Sequence, residues 1–239
     1  MKSQSLYPRP FALLALGFIL CTIFGTVSHE LGHIAAAKYF GYETELHYAS
    51  MNYDSPERQE FWNRYERDKE YIDSPDDSPQ KQAFYQYRKQ MEERVKCKAS
   101  FITLGGPVQT MLTGTIGFLV LWFRRKKIFS KKYLNVGEWA AVLLAYFWSR
   151  QVFNFLMSLP ALATGANMGG DEPRLSYYLG LPPWAFGLVT FIIGSALLLW
   201  VTFRLIPQKY RFTFIVAGLA GSAAGWFVWM HWLGPVMLP

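Results

Sequence analysis

Residues 11–37 read FALLALGFILCTIFGTVSHELGHIAAA, and this stretch decides how the rest of the chain is interpreted. Residues 11–27 carry no charge, and an apolar run of this length approaches the roughly 20 residues that a helix needs to cross a bilayer. Ser28-His29-Glu30 follows, where a signal peptide would have a small-residue cleavage site. We therefore predict a retained transmembrane helix that carries three ionisable residues near its end.

The composition extends this interpretation to the whole chain. Of the 239 residues, 51% are hydrophobic and only 17% are charged, whereas soluble domains carry about 25% charged residues. The apolar residues also form blocks instead of alternating. We predict an all-α polytopic membrane protein with about five transmembrane helices, over residues 11–37, 101–123, 138–161, 184–206 and 212–233.

A polar insert, residues 38–100, separates the first two apolar blocks and holds 13 acidic and 11 basic residues. Residues 42–48 alternate in the manner of a strand or short hairpin. Ser55-Pro56 and Ser78-Pro79 resemble helix starts and predict two amphipathic helices, over 56–71 and 79–98. The resulting division is 1–37 (first helix), 38–100 (insert), 101–175 (second and third core segments) and 176–239 (two C-terminal helices).

The basic residues stand in short runs beside apolar blocks, as in Arg124-Arg125-Lys126-Lys127. Such runs are typical of membrane-flanking anchors, and the absence of a basic groove with interleaved aromatics argues against nucleic-acid binding. The positive-inside rule places residues 124–132 and 204–211 in the cytoplasm and residues 38–100 outside. The two cysteines, Cys21 and Cys97, predict neither a disulfide framework nor a cysteine zinc site.

His29-Glu30-Leu31-Gly32-His33 is an H-E-x-x-H sequence on the predicted first helix. Residues four apart lie on one face of a helix, so both imidazoles can bind a single zinc ion. Glu30 can reach a zinc-bound water, whose pKa the metal lowers, and act as its general base. Ionisable residues in an apolar helix are costly, which favours a functional site over a solvated helix end.

A catalytic zinc site usually has three protein ligands and one open position. The acidic and histidine candidates for the third ligand are Asp171, Glu172, His47, Asp54 and His231. Asp171 follows Gly169-Gly170, which would allow the backbone to turn a carboxylate back toward the histidines.

The motif on an apolar helix resembles that of the site-2 protease family of intramembrane zinc metalloproteases. That family has a glycine-proline element at the next core helix and an aspartate ligand at the start of a later one. Here Gly105-Gly106-Pro107 opens the second segment, and Asn154, Pro160 and Asp171 follow in the third region. The spacing departs from the family's compact asparagine–proline–Leu-Asp-Gly arrangement, since Pro160 and Asp171 are 11 positions apart.

The resemblance implies His29, His33 and Asp171 as zinc ligands and Glu30 as the catalytic base, with Glu172 and His47 as substitutes for Asp171. It implies contacts of Asn154, Gly106 and Pro107 with a substrate. Proline at a helix start is an equally good explanation of Gly106-Pro107. Arg150 is expected to pair with a carboxylate or to extend to the membrane surface.

The main hypothesis is therefore a zinc-dependent endopeptidase that hydrolyses peptide bonds in or next to transmembrane segments of other membrane proteins. The alternative is a catalytically silent membrane adaptor of the same fold that binds transmembrane partners, although an intact Glu30 argues against it. A metal transporter would need more polar stations across several helices than four histidines provide. The substrate, the sidedness of the site and the oligomeric state stay open.

Overall fold

The computed structural model describes residues 6–239, and helices make up most of it. The order along the chain is α1 (Pro8–Tyr39), β1 (Glu43–Leu46), β2 (Met51–Asp54), α2 (Pro56–Asp73) and α3 (Pro79–Phe129). It continues with α4 (Val136–Ala145), a 3-10 turn (Tyr146–Trp148), α5 (Ser149–Thr164), α6 (Asp171–Tyr178), α7 (Ala185–Trp200) and a π-helical turn (Val201–Leu205). It ends with α8 (Gln208–Val228), a second π-helical turn (Trp229–Leu233) and α9 (Gly234–Met237).

Four helical stretches among residues 6–239 are long and apolar enough to cross a membrane. They are Pro8–Tyr39, Pro79–Phe129, Ala185–Leu205 and Gln208–Met237. The prediction of a largely helical, multi-pass membrane protein is therefore confirmed at this level. Many large apolar side chains on these helices are exposed, as expected where lipid replaces water.

The predicted segment 138–161 is divided among α4, the 3-10 turn and α5 and is not one long helix. The turn holds three aromatic residues, and two of them bond to neighbouring helices. The Tyr146 hydroxyl pairs with the Thr202 hydroxyl at 2.5 Å, and Trp148 Nε1 donates to Thr115 Oγ1 at 3.2 Å. These side-chain bonds accompany a tightened turn in the middle of the segment.

Helix α3 differs from the prediction because it runs without a break from the insert into the second apolar block. Its 51 residues extend roughly 76 Å at 1.5 Å per residue, far more than the roughly 30 Å of a bilayer core. Gly105-Gly106-Pro107 therefore lies inside a helix and not at its start. Pro107 is fully buried there, although proline removes one backbone donor from the helix.

The insert contains an antiparallel hairpin of β1 and β2, in which Glu43 pairs with Asp54 and Leu46 with Met51. Ser55 and Ser78 cap α2 and α3, since their hydroxyls accept from the backbone N–H groups of Arg58 and Lys81 at 3.2 and 3.1 Å. The insert is thus built from local signals that the sequence contains.

Glu57 joins the hairpin side of the insert to α3, because its carboxylate accepts from Lys98 Nζ at 2.8 Å and from the Tyr42 hydroxyl at 3.2 Å. The hydrogen bond from Lys98 holds the pKa of Glu57 below its ordinary value of 4.5, although burial opposes this effect. A carboxyl group whose pKa is lower in the folded state than in the unfolded state stabilises the fold at pH values above its unfolded-state pKa. This contribution disappears as the pH falls through the folded-state pKa.

We therefore expect Glu57→Gln to lower the thermal unfolding midpoint of the detergent-solubilised protein at pH 7 but not at a pH below the folded-state pKa. The exposed Glu66→Gln is the control and should leave the midpoint unchanged at both pH values. An equal loss for Glu57→Gln at both pH values would attribute the effect to packing and not to charge.

The largest buried cluster lies where the first half of α1 meets α3, α4, α7 and α8. Phe18, Leu121, Val142 and Phe214 are at most 4% exposed there. Toward its other end, α1 approaches α3 so closely that a Cβ at Gly32 would overlap the Gly105 carbonyl. This contact between glycine backbones brings the second half of α1 and the middle of α3 together.

Candidate metal centre

The side chains of His29 and His33, one turn apart on α1, meet the side chain of Asp171, which is distant in sequence. His29 Nε2 lies 2.9 Å from Asp171 Oδ2, His33 Nε2 lies 3.3 Å from the same oxygen, and the two Nε2 atoms are 3.2 Å apart. Both histidines are at most 7% exposed, and the Asp171 side chain is 21% exposed. Among residues 6–239 this is the one group of three or more such side chains whose ligand atoms could hold a metal ion.

The triangle of ligand atoms has the size of one face of a tetrahedral metal site. Zinc binds nitrogen and carboxylate oxygen at ~2.0–2.1 Å, so adjacent ligand atoms of a tetrahedral site lie about 3.3 Å apart. The three observed separations, 2.9 to 3.3 Å, are equal to this value or slightly shorter. Two imidazole nitrogens and a carboxylate oxygen therefore fit zinc in both chemistry and spacing.

The far side of each imidazole is held by α3. His33 Nδ1 donates to the Ile102 carbonyl at 2.7 Å, a shorter contact than the 3.3 Å approach of the Gly106 N–H. His29 Nδ1 lies 2.9 Å from Thr110 Oγ1, which itself donates to the Gly106 carbonyl at 3.2 Å and so accepts from the histidine. Both rings then carry their proton on Nδ1, and both Nε2 lone pairs point toward Asp171.

This arrangement brings three electron-rich atoms together. A proton on one Nε2 provides a donor to Asp171 Oδ2. The Nε2 atom of the other imidazole then faces that oxygen with a lone pair, and no proton lies between these two atoms. A divalent cation at the centre would satisfy all three atoms at once, which is the usual role of histidine and carboxylate ligands around zinc.

Gly106 provides the space opposite the histidine rings. A Cβ at this position would overlap His33 Nε2 and would lie 2.6 Å from His29 Nε2, so any larger side chain would occupy the region where the ligand atoms meet. Contact of Gly106 with a substrate stays a prediction. Pro107, the next residue, is buried between helices and offers no exposed surface of its own.

Asp171 reaches the histidines because Gly170 turns the chain immediately before α6. Gly170 has φ +103°, which glycine adopts readily and L-residues avoid. Burial raises the pKa of the adjacent Glu172, against the hydrogen bond that Asn154 donates at 3.0 Å.

Asn154 therefore contacts the residue beside the candidate ligand and not the metal cluster itself. The other candidate ligands lie elsewhere. His47 Nδ1 faces the Pro239 carbonyl, Asp54 accepts from Gln59 at 2.6 Å, and His231 packs on the rings of Trp226 and Phe227. Of the five third-ligand candidates, Asp171 is the one that the structure places against both histidines.

Glu30 is 7% exposed, and no hydrogen bond to its carboxylate forms within residues 6–239. Its charge interacts with His33, Asp171 and Arg150. Arg150 likewise interacts with Glu172, and its buried Nε has no hydrogen-bond partner among the described residues. Arg150 was expected to pair with a carboxylate. Its charge interacts with three carboxylates, those of Glu30, Asp171 and Glu172, but it forms no direct ion pair among the described residues.

Sequence reasoning missed two parts of this site. Gly32, inside the H-E-x-x-H motif, allows α1 to approach α3, and Thr110 orients His29. A signal for each was present, because Gly32 is a small residue on an apolar helix and Thr110 lies one turn after Gly106. Gln109 and Thr113 bond to each other along α3 at 3.0 Å.

We expect Thr110→Val to weaken metal binding roughly 10–100-fold, because His29 loses the acceptor that fixes its tautomer and ring orientation. Thr113→Val is the matched control, because the Thr113 hydroxyl accepts a hydrogen bond from Gln109 and does not hold either histidine. Competition with a chelator of known zinc affinity measures both variants. Equal affinities for the two variants would exclude an orienting role for Thr110.

Comparison of the chain with protein-family models, with curated proteins and with solved structures found no match.

Proposed function

We propose that this chain is an intramembrane zinc metalloprotease that resembles the site-2 protease family. The observation that carries the proposal is the convergence of His29 Nε2, His33 Nε2 and Asp171 Oδ2 on one point beside a helix apolar enough to cross a membrane. Buried ionisable residues at such a position are costly unless they serve a ligand or a reaction. The Glu30 carboxylate lies beside these three ligand atoms and forms no hydrogen bond within the described residues. A carboxylate that is free in this way supports catalysis over purely structural metal binding.

The residues of the site have separate roles in the proposed reaction. Zinc held by His29, His33 and Asp171 would supply Lewis acidity, which lowers the pKa of water toward neutrality. Glu30 accepts the proton of the attacking water and returns it to the leaving amine of the cleaved peptide. Thr110 and the Ile102 carbonyl hold the imidazoles, and Arg150 places a positive charge near the three carboxylates.

The depth of the site along α1 supports a substrate that contains transmembrane segments. His29 and His33 lie roughly 9–15 Å before the end of α1 at 1.5 Å per residue, within a helix of high mean hydropathy. A peptide bond that reaches this position belongs to a transmembrane segment or to the residues next to one. Because helical carbonyls are engaged in intrahelical bonds, the substrate must unwind locally before attack.

The proposal includes a fifth membrane crossing, formed by α4, the 3-10 turn and α5 over residues 136–164. This stretch is long enough at 1.5 Å per residue, roughly 44 Å in total. Residues 38–100 then form a single polar insert between the first and second crossings.

The test is the metal content of the detergent-purified chain, in which we expect about one zinc per wild-type molecule. Asp171→Ala should lose the zinc, because two imidazoles alone leave the site a ligand short. Asp54→Ala removes a carboxylate that bonds only within the insert and should retain the metal.

Zinc retained by Asp171→Ala would exclude Asp171 as the third ligand. Absence of zinc from the wild type after reconstitution would overturn the proteolytic proposal and favour the non-catalytic adaptor.

A further inference from the structure

One end of the helix bundle is strongly basic. The start of α1, the loop after α3 and the start of α8 meet there through ring contacts of Tyr210 with Tyr7 and Tyr133, and the π-helical turn after α7 lies beside α3 and α8 around a shared cavity. Ten basic residues of the described chain lie at this end: Arg9, Arg124, Arg125, Lys126, Lys127, Lys131, Lys132, Arg204, Lys209 and Arg211. Glu138 is the single acidic residue that accompanies them within residues 6–239.

Glu138 does not neutralise most of this charge. Its Oε1 accepts from Arg124 at 3.2 Å and from Lys131 at 2.7 Å, and its Oε2 accepts from the backbone of Asn135 at 2.9 Å. The carboxylate is therefore fully occupied by neighbours on α3 and α4. The remaining cations at this end have no acidic partner in the described chain.

Three of these cations line a cavity of about 510 Å³ between the ends of α3, α7 and the start of α8. Arg125, Arg204 and Arg211, which we call the arginine pocket, share this cavity with the rings of Trp122, Trp200 and Phe203. Its volume lies within the range of small-molecule sites, roughly 300–1,000 Å³. No acidic side chain lines it.

Two of the guanidinium groups are held in place by backbone carbonyls. Arg125 Nη1 donates to the Trp122 carbonyl at 2.6 Å, and its guanidinium lies 4.1 Å from the centre of the Trp122 ring. Arg211 donates to the carbonyls of Phe203 and Ile206 at 2.6 and 3.0 Å. Each of these arginines uses only part of its five donors, so the rest stay available to a ligand.

Arg204 completes the pocket without any partner of its own. It is exposed, and within residues 6–239 its guanidinium makes no hydrogen bond or ion pair. It stands on the π-helical turn Val201–Leu205, a rare geometry that often occurs at functional sites. Three guanidinium groups without carboxylates form a site for an anion with several oxygens, such as a phosphodiester.

The position of the pocket identifies the source of that anion. It lies at the ends of helices that are apolar enough to cross a membrane, and tryptophan rings form its walls, as is usual at the membrane–water interface. We propose that the arginine pocket binds the headgroup of an anionic phospholipid, with the phosphate on the guanidinium groups and the acyl chains along α3 and α7. Clustered basic residues beside transmembrane helices recognise anionic lipids in this way.

The experiment is native mass spectrometry of the whole chain in detergent, titrated with phosphatidylglycerol or phosphatidylcholine. Wild type should retain phosphatidylglycerol preferentially. Replacing Arg125, Arg204 and Arg211 together by Gln should weaken that binding roughly 100-fold, and Arg204→Gln alone about 5-fold. Arg204→Gln removes no intramolecular bond, so its effect is separable from misfolding.

Replacing Lys126, Lys127 and Lys132 together by Gln is the matched control, because it removes the same charge from the same end outside the pocket. This variant should bind phosphatidylglycerol within about threefold of wild type if the pocket, and not the general charge, recognises the lipid. Equal loss in both triple variants would overturn the proposal. Binding of soluble glycerol phosphate as tight as that of the lipid would also overturn it, since the site would then serve a free phosphate ester.

Discussion

Glu30→Gln is expected to abolish peptide hydrolysis while leaving the metal in place. The amide keeps the size of the side chain but cannot accept a proton, and loss of a general base typically costs roughly 10²–10⁴-fold in rate. The measurement is cleavage of a fluorogenic peptide with an apolar transmembrane sequence, reconstituted with the protein in lipid vesicles. Metal content, measured on the same preparation, should equal that of wild type.

The control for this variant is Glu45→Gln, the same chemical change on the exposed hairpin strand β1, where the side chain is 73% exposed. It should cleave at the wild-type rate. If Glu30→Gln cleaves as fast as Glu45→Gln, Glu30 is not the base and the assignment of roles around the metal is wrong. If Glu30→Gln also loses the metal, its role is structural.

Gly106→Ala is expected to eliminate metal binding and, with it, activity. The added methyl group would overlap His33 Nε2 and approach His29 Nε2 within 2.6 Å, so both rings must leave the positions from which they meet Asp171. The histidines have little freedom to move, because Ile102 and Thr110 hold their Nδ1 atoms. Zinc content and chelator competition measure the effect.

Gly169→Ala provides a close comparison, since it adds the same methyl group two residues before Asp171 with no atom within 4 Å of the new Cβ. It should retain full zinc content. Thermal unfolding of both variants separates loss of the site from loss of the fold. A Gly106→Ala protein that folds and still binds zinc with wild-type affinity would disprove the ligand geometry.

Much of the architecture was predictable because it rests on local signals. The apolar stretch of α1, the serine caps at Ser55 and Ser78 and the alternation near Glu43–Leu46 each act over a few residues. A helix break was predicted near residue 100, because the glycine-proline element suggested a helix boundary. This break does not occur. Helix α3 instead continues through Pro107, which packing buries completely.

The segment at 138–161 marks a second limit of local reasoning. Its composition predicts one long helix, but bonds from Tyr146 and Trp148 to other helices accompany a 3-10 turn at its centre. Such bonds depend on Thr202 and Thr115, which lie 56 and 33 positions away from their partners. No periodicity within the segment contains that information.

The sequence by itself determined that His29 and His33 share one face of an apolar helix with Glu30 beside them, because a spacing of four residues is a property of the helix alone. Only the tertiary structure decided which carboxylate joins them and which groups of α3 hold their rings. Asp171 is 142 positions from His29, and Thr110 is 81 positions away. Contacts over such separations depend on helix packing, here on the close approach of Gly32 and Gly105, and that packing is set by the whole chain.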